Sequence, residues 1–441
     1  MLDIRYWTIL RVALPMMLSG FIQSVISITD AAFLSRYSEL AYDASGSAGL
    51  WYITLGMVFI GLSDGSQIAM AQKVGEKNKE GFAAVFHSNI VILIGFACLL
   101  TLLVQLVMPY WLNSLVTSAE LAQAQFDFLE IRSYSFWASV ITLSIQAVYL
   151  ATGKTTLVMF TSLIVAVSNI VLDYLWIFGI GSFPEMGLKG AAWASTTAEY
   201  LGMIFLLATL LFGQIKRDFP LLGKLKASSK QIVQNLKIGT PLLLQGMVAL
   251  SIWAIFFTWI EQMGGENLTI SLNIRYVYFL AFIPIWGFAS ATKSYIAQYH
   301  GANEMDKIPI IQKRILILSF SFLIVTFHGS FLYPELLIRL VSEKINHIQE
   351  SASILRYVSA SIFIYAIGSV YFQTLSGLSK TRITFYVECI CTSFYVGSAY
   401  LFIKVLNWEI KYVWTVEYIY FISIGVLSYL YLKFIYKNQH T

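Results

Sequence analysis

Four polar residues set inside long apolar runs are the part of this sequence best suited to chemistry: Asp30, Asn169, Asp173 and Ser195. An ionisable group at bilayer depth costs ~2.5–3.5 kcal/mol on insertion scales, so each one needs a reason to be there. Asp30 follows an apolar stretch in the first run. Asn169 and Asp173, spaced i, i+4, fall one turn apart on one face of a helix in the fifth. Ser195 lies in a small-residue stretch of the sixth, followed by Thr196 and Thr197. Two carboxylates, an amide and a hydroxyl can offer several oxygens to a bare cation; two adjacent carboxylates can instead hold and carry a proton. The plainer alternative is a buried polar cluster that only ties helices together.

Other groups are embedded as well. Glu199 lies one turn from Ser195, and Glu388 sits in the eleventh run. Either can attract a cationic substrate, and Glu199 can tune the neighbouring oxygens; structural roles are the alternative for both. Glu130, Arg132, Arg275 and Arg356 fall nearer the ends of runs, where local pairing or snorkelling is expected. The aromatics Phe256, Phe257, Trp259, Tyr276, Tyr278 and Trp286 can line a cavity for flat cations or face lipid. Cys98, Cys389 and Cys391 have neither disulfide nor metal-ligand spacing and read as small core hydrophobes. No cofactor is expected, and no metal beyond a Na⁺ at the oxygen cluster.

Composition dictates the elements that position these groups. The chain is 58% hydrophobic and 12% charged, against roughly 25% charged in a soluble domain. Lipid must therefore solvate much of its surface. Apolar runs of about 20 residues or more occur near 8–36, 47–73, 81–108, 122–152, 156–180 and 187–213, then near 233–262, 267–299, 310–338, 350–376, 382–405 and 411–435. The opening MLDIRYWTIL lacks an A-x-A cleavage site, so the first run is expected to be retained. With the N-terminus in the cytoplasm, nineteen Lys and Arg fall inside and six outside. The sequence predicts an integral, multi-pass plasma (inner) membrane protein with both termini cytoplasmic. This bias also explains the net charge of +5 without a nucleic-acid partner. The basic segment around Lys216 to Lys230, with Pro220, Gly223 and paired serines, reads as a linker near anionic headgroups. It divides the chain into a lobe at 1–215, a linker at 216–232 and a lobe at 233–441.

The two lobes repeat one another at a constant separation, the one that carries Pro15 onto Pro241. The same shift pairs Gly61 with Gly287, Ala71 with Ala297, Gln72 with Gln298, Gly75 with Gly301 and Lys154-Thr155 with Lys380-Thr381. Each half holds an even number of runs, so the repeats are parallel, and two such bundles suit alternating access. Pro15 and Pro241 lie in corresponding first runs, where each frees a carbonyl and permits bending; a static kink is the alternative.

The segments ALPMMLSGFIQSVISITDAAFLSR (13–36), GLSDGSQIAMAQKVGEKNKE (61–80), ATGKTTLVMFTSLIVAVSNIVLDYLWIFG (151–179), GLKGAAWAS (187–195), IGTPLLLQGM (238–247), GFASATKSYIAQYHGA (287–302) and LSGLSKT (375–381) resemble the multidrug and toxic compound extrusion (MATE) transporters, and the resemblance covers essentially the whole chain. It implies an all-α polytopic fold of twelve transmembrane helices in two parallel six-helix bundles. It further implies export of small cationic or amphipathic organic compounds, coupled to inward movement of H⁺ or Na⁺, by a monomer. In the DinF-like branch a cation site combines an aspartate of helix 1, an Asn-x-x-x-Asp pair of helix 5 and a hydroxyl of helix 6. Asp30, Asn169 and Asp173 match that pattern, and Ser195 keeps the hydroxyl where the family has threonine. Shifted by the repeat, these four fall on Phe256, Tyr395, Ala399 and Phe421, so one coupling site is expected, in the first half. NorM-like members carry acidic residues at positions approximating Ala249 and Tyr365 here.

Asp64 and Lys293 align within one turn of each other in equivalent helices that, in the family, face each other across the cleft. They are a candidate ion pair closing a cytoplasmic gate; the alternative is local satisfaction of Asp64 and snorkelling of Lys293. No G-x-S-x-G, H-E-x-x-H or P-loop is present, which argues against an enzyme and against nucleotide-driven transport. The main alternative within the superfamily is a flippase for lipid-linked oligosaccharide or polysaccharide. Such proteins line their cavity with several basic groups, where this chain offers Lys293.

Overall fold

In lipid every backbone amide and carbonyl must find a partner within its own segment, so long apolar runs fold as helices. The computed structural model describes residues 1–116, 118–223, 227–341 and 347–439. Lys224 and Lys226 of the linker, and Lys344 of the charge pattern, lie outside the described residues. Twelve helices among those described are long and apolar enough to cross a membrane. In the first half these are α1 (Tyr6–Tyr37), α2 (Glu39–Gly75), α3 (Lys79–Leu106), α4 (Ser135–Thr152), α5 (Thr156–Phe178) and α6 (Gly187–Phe212). In the second they are α7 (Ser229–Glu261), α8 (Gly265–Gly301), α9 (Ile308–Phe327), α10 (Ile348–Gly377), α11 (Thr381–Tyr400) and α12 (Val416–Gln439).

Two runs differ from the sequence expectation. The run at 122–152 is two helices, Ala119–Ser133 and α4, meeting at Tyr134. The first carries Glu120, Asp127, Glu130 and Arg132 in 15 residues and cannot cross a bilayer alone. The run at 310–338 stops at Phe327 and continues as the short helices Gly329–Leu332 and Pro334–Val341. Pro334, which cannot continue a helix but can begin one, sets the second of these starts.

Packing divides the chain at a place that composition does not mark. Two compact units form, one of Met1–Met17 with Leu244–Thr441 and the other of Leu18–Leu243. The linker boundary at 216–232 would leave α1 and α7 whole. The contacts instead divide each helix two residues beyond its proline, Pro15 or Pro241, although both helices run unbroken.

Each unit closes on a glycine. In the unit of residues 18–243, a Cβ on Gly61 of α2 would lie 2.6 Å from the backbone nitrogen of Leu243 on α7. In the other unit, a Cβ on Gly287 of α8 would meet the side chain of Met17 on α1 and sit 3.0 Å from the Ala13 carbonyl. The shift that relates Pro15 to Pro241 also relates Gly61 to Gly287 and Met17 to Leu243, so the repeat is written in the packing as well as in the residues.

The unit containing Met1–Met17 has a further tie. The Leu2 amide donates to Gln298 Oε1 at 2.8 Å, and the Tyr299 hydroxyl donates to the Leu2 carbonyl at 2.9 Å. The Tyr295 hydroxyl reaches the Asp3 carbonyl at 2.9 Å, and an Arg314 Nη reaches the Ile4 carbonyl at 2.8 Å. Ile9, Val12 and Ala13 then bury themselves among Phe288, Tyr295 and Ile311. The exposed Asp3 carboxyl accepts the Arg5 amide, which holds it below the usual carboxylate range.

Candidate functional site

α5 and α6 are joined by the loop 179–186, at whose end the Met186 amide donates back to the Trp176 carbonyl at 2.8 Å. A Cβ at Gly190 would lie 2.6 Å from that same carbonyl oxygen, so only glycine lets α6 pass so near α5. This approach sets Asn169 opposite Ser195, and its Nδ2 donates to the serine Oγ at 3.2 Å. One turn on, Asp173 is fully buried and its carboxyl adjoins that of Asp30, brought in by α1. The structure therefore gathers all four residues picked out in the sequence, from three helices, within the unit of residues 18–243.

Their hydrogen bonding is incomplete. Asp30 Oδ1, Asn169 Oδ1 and both Asp173 carboxyl oxygens are buried and accept no well-formed hydrogen bond among the described residues. Asp173 nevertheless lies within reach of both Asp30 and Asn169, so the two carboxyls need a shared proton or a cation between them. Nearly all buried polar atoms in folded proteins are paired. Four orphaned acceptors converging from two carboxyls and an amide suit a cation or a proton: a cation could be ligated by all of them, and a proton on one carboxyl could bridge to the other. Among the described residues no group of three His, Cys, Asp or Glu side chains assembles that could hold a metal ion. Oxygen donors of this kind suit a hard cation such as Na⁺ as well as a proton.

Arg132 departs from expectation. In place of snorkelling at a helix end it is 7% exposed, and its Nη2 pairs with Glu199 Oε1 at 2.6 Å. Its guanidinium carbon stacks 4.1 Å from the centre of the Tyr52 ring. The Tyr52 hydroxyl bonds Ser135 at 2.6 Å and reaches both Glu199 oxygens at 3.3 Å. Arg132 also acts electrostatically on Asp30 and Asp173, and its Nη1 is buried with no hydrogen-bond partner among the described residues. Spacing could not have revealed this pair, whose members are 67 residues apart.

The matching places of the second half are filled by core. Phe256, Tyr395, Ala399 and Phe421 are all buried, with the Phe256 ring edge-on to Tyr395 and Trp414 at 5.5 and 5.4 Å. One detail repeats: Tyr278 bonds Ser361 at 2.8 Å just as Tyr52 bonds Ser135, and the repeat carries one pair onto the other. The residue matching Arg132 is Val358. The second half does hold buried carboxyls, at other positions. Glu417 accepts the Tyr395 hydroxyl at 2.8 Å and the Tyr278 hydroxyl at 3.5 Å, and Glu388 accepts Tyr420. Glu417 carries no signal in the sequence, since what distinguishes it is the meeting with Tyr278 and Tyr395 from two other helices. Asp64 lies partly buried on α2 in the unit of residues 18–243, and Lys293 lies buried on α8 in the other.

The fold and the buried oxygens define a polytopic, two-repeat membrane protein. The MatE family model matches the chain twice, over residues 15–175 and 241–401, two copies in the same register as the internal repeat. The chain belongs to the MatE family, whose members are membrane transporters and not enzymes. It is 25% identical to the probable multidrug resistance protein NorM of Thermotoga maritima over 85% of this chain and 80% of that one. It is 24% identical to the probable multidrug resistance protein YoeA of Bacillus subtilis over 67% of this chain and 64% of that protein. Its fold matches a crystal structure of MATE in the straight conformation with a TM-score of 0.87, at 20% identity over 98% and 96% of the two chains. A multidrug resistance MATE family transporter of the MOP superfamily, solved in an outward-facing conformation, matches with a TM-score of 0.85 at 19% identity, over 96% and 94%.

Proposed function

We propose that this chain exports small cationic or amphipathic organic compounds across the plasma membrane by alternating access of its two halves, driven by inward movement of H⁺ or Na⁺ through Asp30, Asn169, Asp173 and Ser195. The observation that carries this reading is the set of buried acceptor oxygens lacking partners. A merely structural polar cluster would satisfy its own hydrogen bonds. The names of NorM and YoeA, both probable multidrug resistance proteins, support the substrate class. Both termini are taken to be cytoplasmic from the charge bias, and the transporter to act as a monomer.

The experiment is export of ethidium from liposomes holding the purified chain, under an imposed proton or sodium gradient. Uphill export with one gradient identifies the ion. No response to either, together with translocation of a lipid-linked saccharide, would overturn the reading in favour of a flippase.

Pro15 and Pro241 are the bending points in this scheme, and Asp64 with Lys293 is the gate pair. Exchanging the two charges, Asp64→Lys with Lys293→Asp, is expected to restore transport that either single change removes. Absence of rescue, with both single variants inactive and folded, rejects the pair. Glu388, bonded to Tyr420 in the second half, is assigned an auxiliary role towards cationic substrates.

A further inference from the structure

We propose that Arg132 is a tethered counter-charge for the coupling site: it pairs with Glu199 while the coupling ion is bound and turns its free Nη1 towards Asp30 and Asp173 when the ion leaves. This rests on the assignment of Asp30 and Asp173 as the coupling carboxyls. Three observations lead to it. Arg132 is 7% exposed and held at one end only, with Nη2 on Glu199 at 2.6 Å and Nη1 without a hydrogen-bond partner among the described residues. Its partner Glu199 lies one turn along α6 from Ser195, which bonds Asn169, so the guanidinium is held beside the cluster and within electrostatic reach of Asp30 and Asp173. The second half, which has buried carboxyls but no matching pair at these positions, has Val358 where the first has Arg132.

The physical need is plain. When a cation or proton departs, negative charge is left in a medium that solvates it poorly, and a lone buried charge is far costlier than a paired one. A guanidinium carries five donors in a rigid fork and stays charged throughout, so it can hold two acceptors in turn. Stacking on Tyr52 keeps the plane of the fork in place as the partner changes. The charged and titratable groups around Arg132 are Asp30 from α1, Tyr52 from α2, Asp173 from α5 and Glu199 from α6, with Tyr200 beside Glu199. Glu199 restrains Arg132 in this arrangement. With Glu199 neutral the arginine is free to occupy the site, and with Arg132 gone the site is left more negative. Arg132 is therefore a positioning residue whose loss and whose release act in opposite directions.

That opposition is the test. The purified full chain in liposomes is treated with dicyclohexylcarbodiimide, which modifies protonated buried carboxyls, over a range of pH and with sodium added as a protectant. Modification of Asp30 and Asp173 is read by peptide mass. Arg132→Gln is expected to keep the site protonated at proton concentrations about tenfold lower than wild type, and Glu199→Gln to require concentrations about tenfold higher. Sodium protection should shift the same way, and the double variant should return close to wild type. Arg132→Lys, which keeps the charge, should stay near wild type and covers the case in which Arg132→Gln fails to fold. If both single variants shift in the same direction, or neither shifts, Arg132 and Glu199 only tie helices together and the inference is wrong. The coupling assignment itself fails separately, if variants neutral at Asp30 and Asp173 still export uphill.

Discussion

Asp173→Asn is expected to abolish ion-driven uphill export while leaving the protein folded in the membrane, and Asp30→Asn to do the same. Asparagine keeps the shape of the buried Asp173 side chain and removes its charge. A unit charge acting on a cation from 4 Å at an effective dielectric of 20 is worth ~4 kcal/mol. Even if relaxation halves that figure, the affinity for the ion falls by ~30-fold or more. Stability should move the other way. Two adjoining buried carboxyls with orphaned oxygens are a strain on the fold, so Tm in detergent is expected to hold or rise. The measurement is substrate accumulation against its gradient in liposomes, beside a thermal unfolding curve. Wild-type accumulation by both variants would remove the coupling site from this place. Lost accumulation together with a collapsed Tm would assign the pair a structural role.

Gly61→Ala is expected to damage the fold more than Gly287→Ala, although the two positions are equivalent in the repeat. At Gly61 the new methyl would run into the Leu243 backbone, which can yield only if α7 moves away from α2. At Gly287 its nearest clash would be with Cγ of the Met17 side chain, which can turn about its own bonds, and the Ala13 carbonyl would stand 3.0 Å away. Overpacking a tight contact costs about 1–3 kcal/mol, and Gly61→Ala should fall at the upper end with Gly287→Ala near the lower. Thermal unfolding of the two variants in one detergent gives the ranking. Equal losses would mean that the methionine is held as rigidly as the backbone.

Much of this architecture was legible from residue types. The twelve spans follow from apolar length, because a bilayer leaves the backbone few other choices. The repeat follows from single residues at one constant shift, and the matched family segments fall on the same register. Asn169 and Asp173 announce a shared face by their spacing alone. What could not be read falls into two kinds. Arg132 and Glu199 find each other across 67 residues, and Glu417 collects Tyr278 and Tyr395 from two other helices, so only the folded bundle brings them together. The division of α1 and α7 between two packing units is equally silent, since each proline helix is continuous in backbone and in hydropathy. Asp30, a lone carboxylate inside the first apolar run, gains its meaning only from what α5 sets beside it.

The first seventeen residues have a consequence for the order of events at the ribosome. Their partners, from Phe288 to Arg314, are made several helices later, so this segment finds its place only after most of the helices that follow it have been made. Until then Leu2 to Ile4 hold backbone donors and acceptors whose native partners do not yet exist. Chain closure over so long a stretch is slow relative to local helix formation. A nascent chain halted at the 216–232 linker would thus carry a nearly finished bundle with residues 1–17 still loose, their partners not yet made.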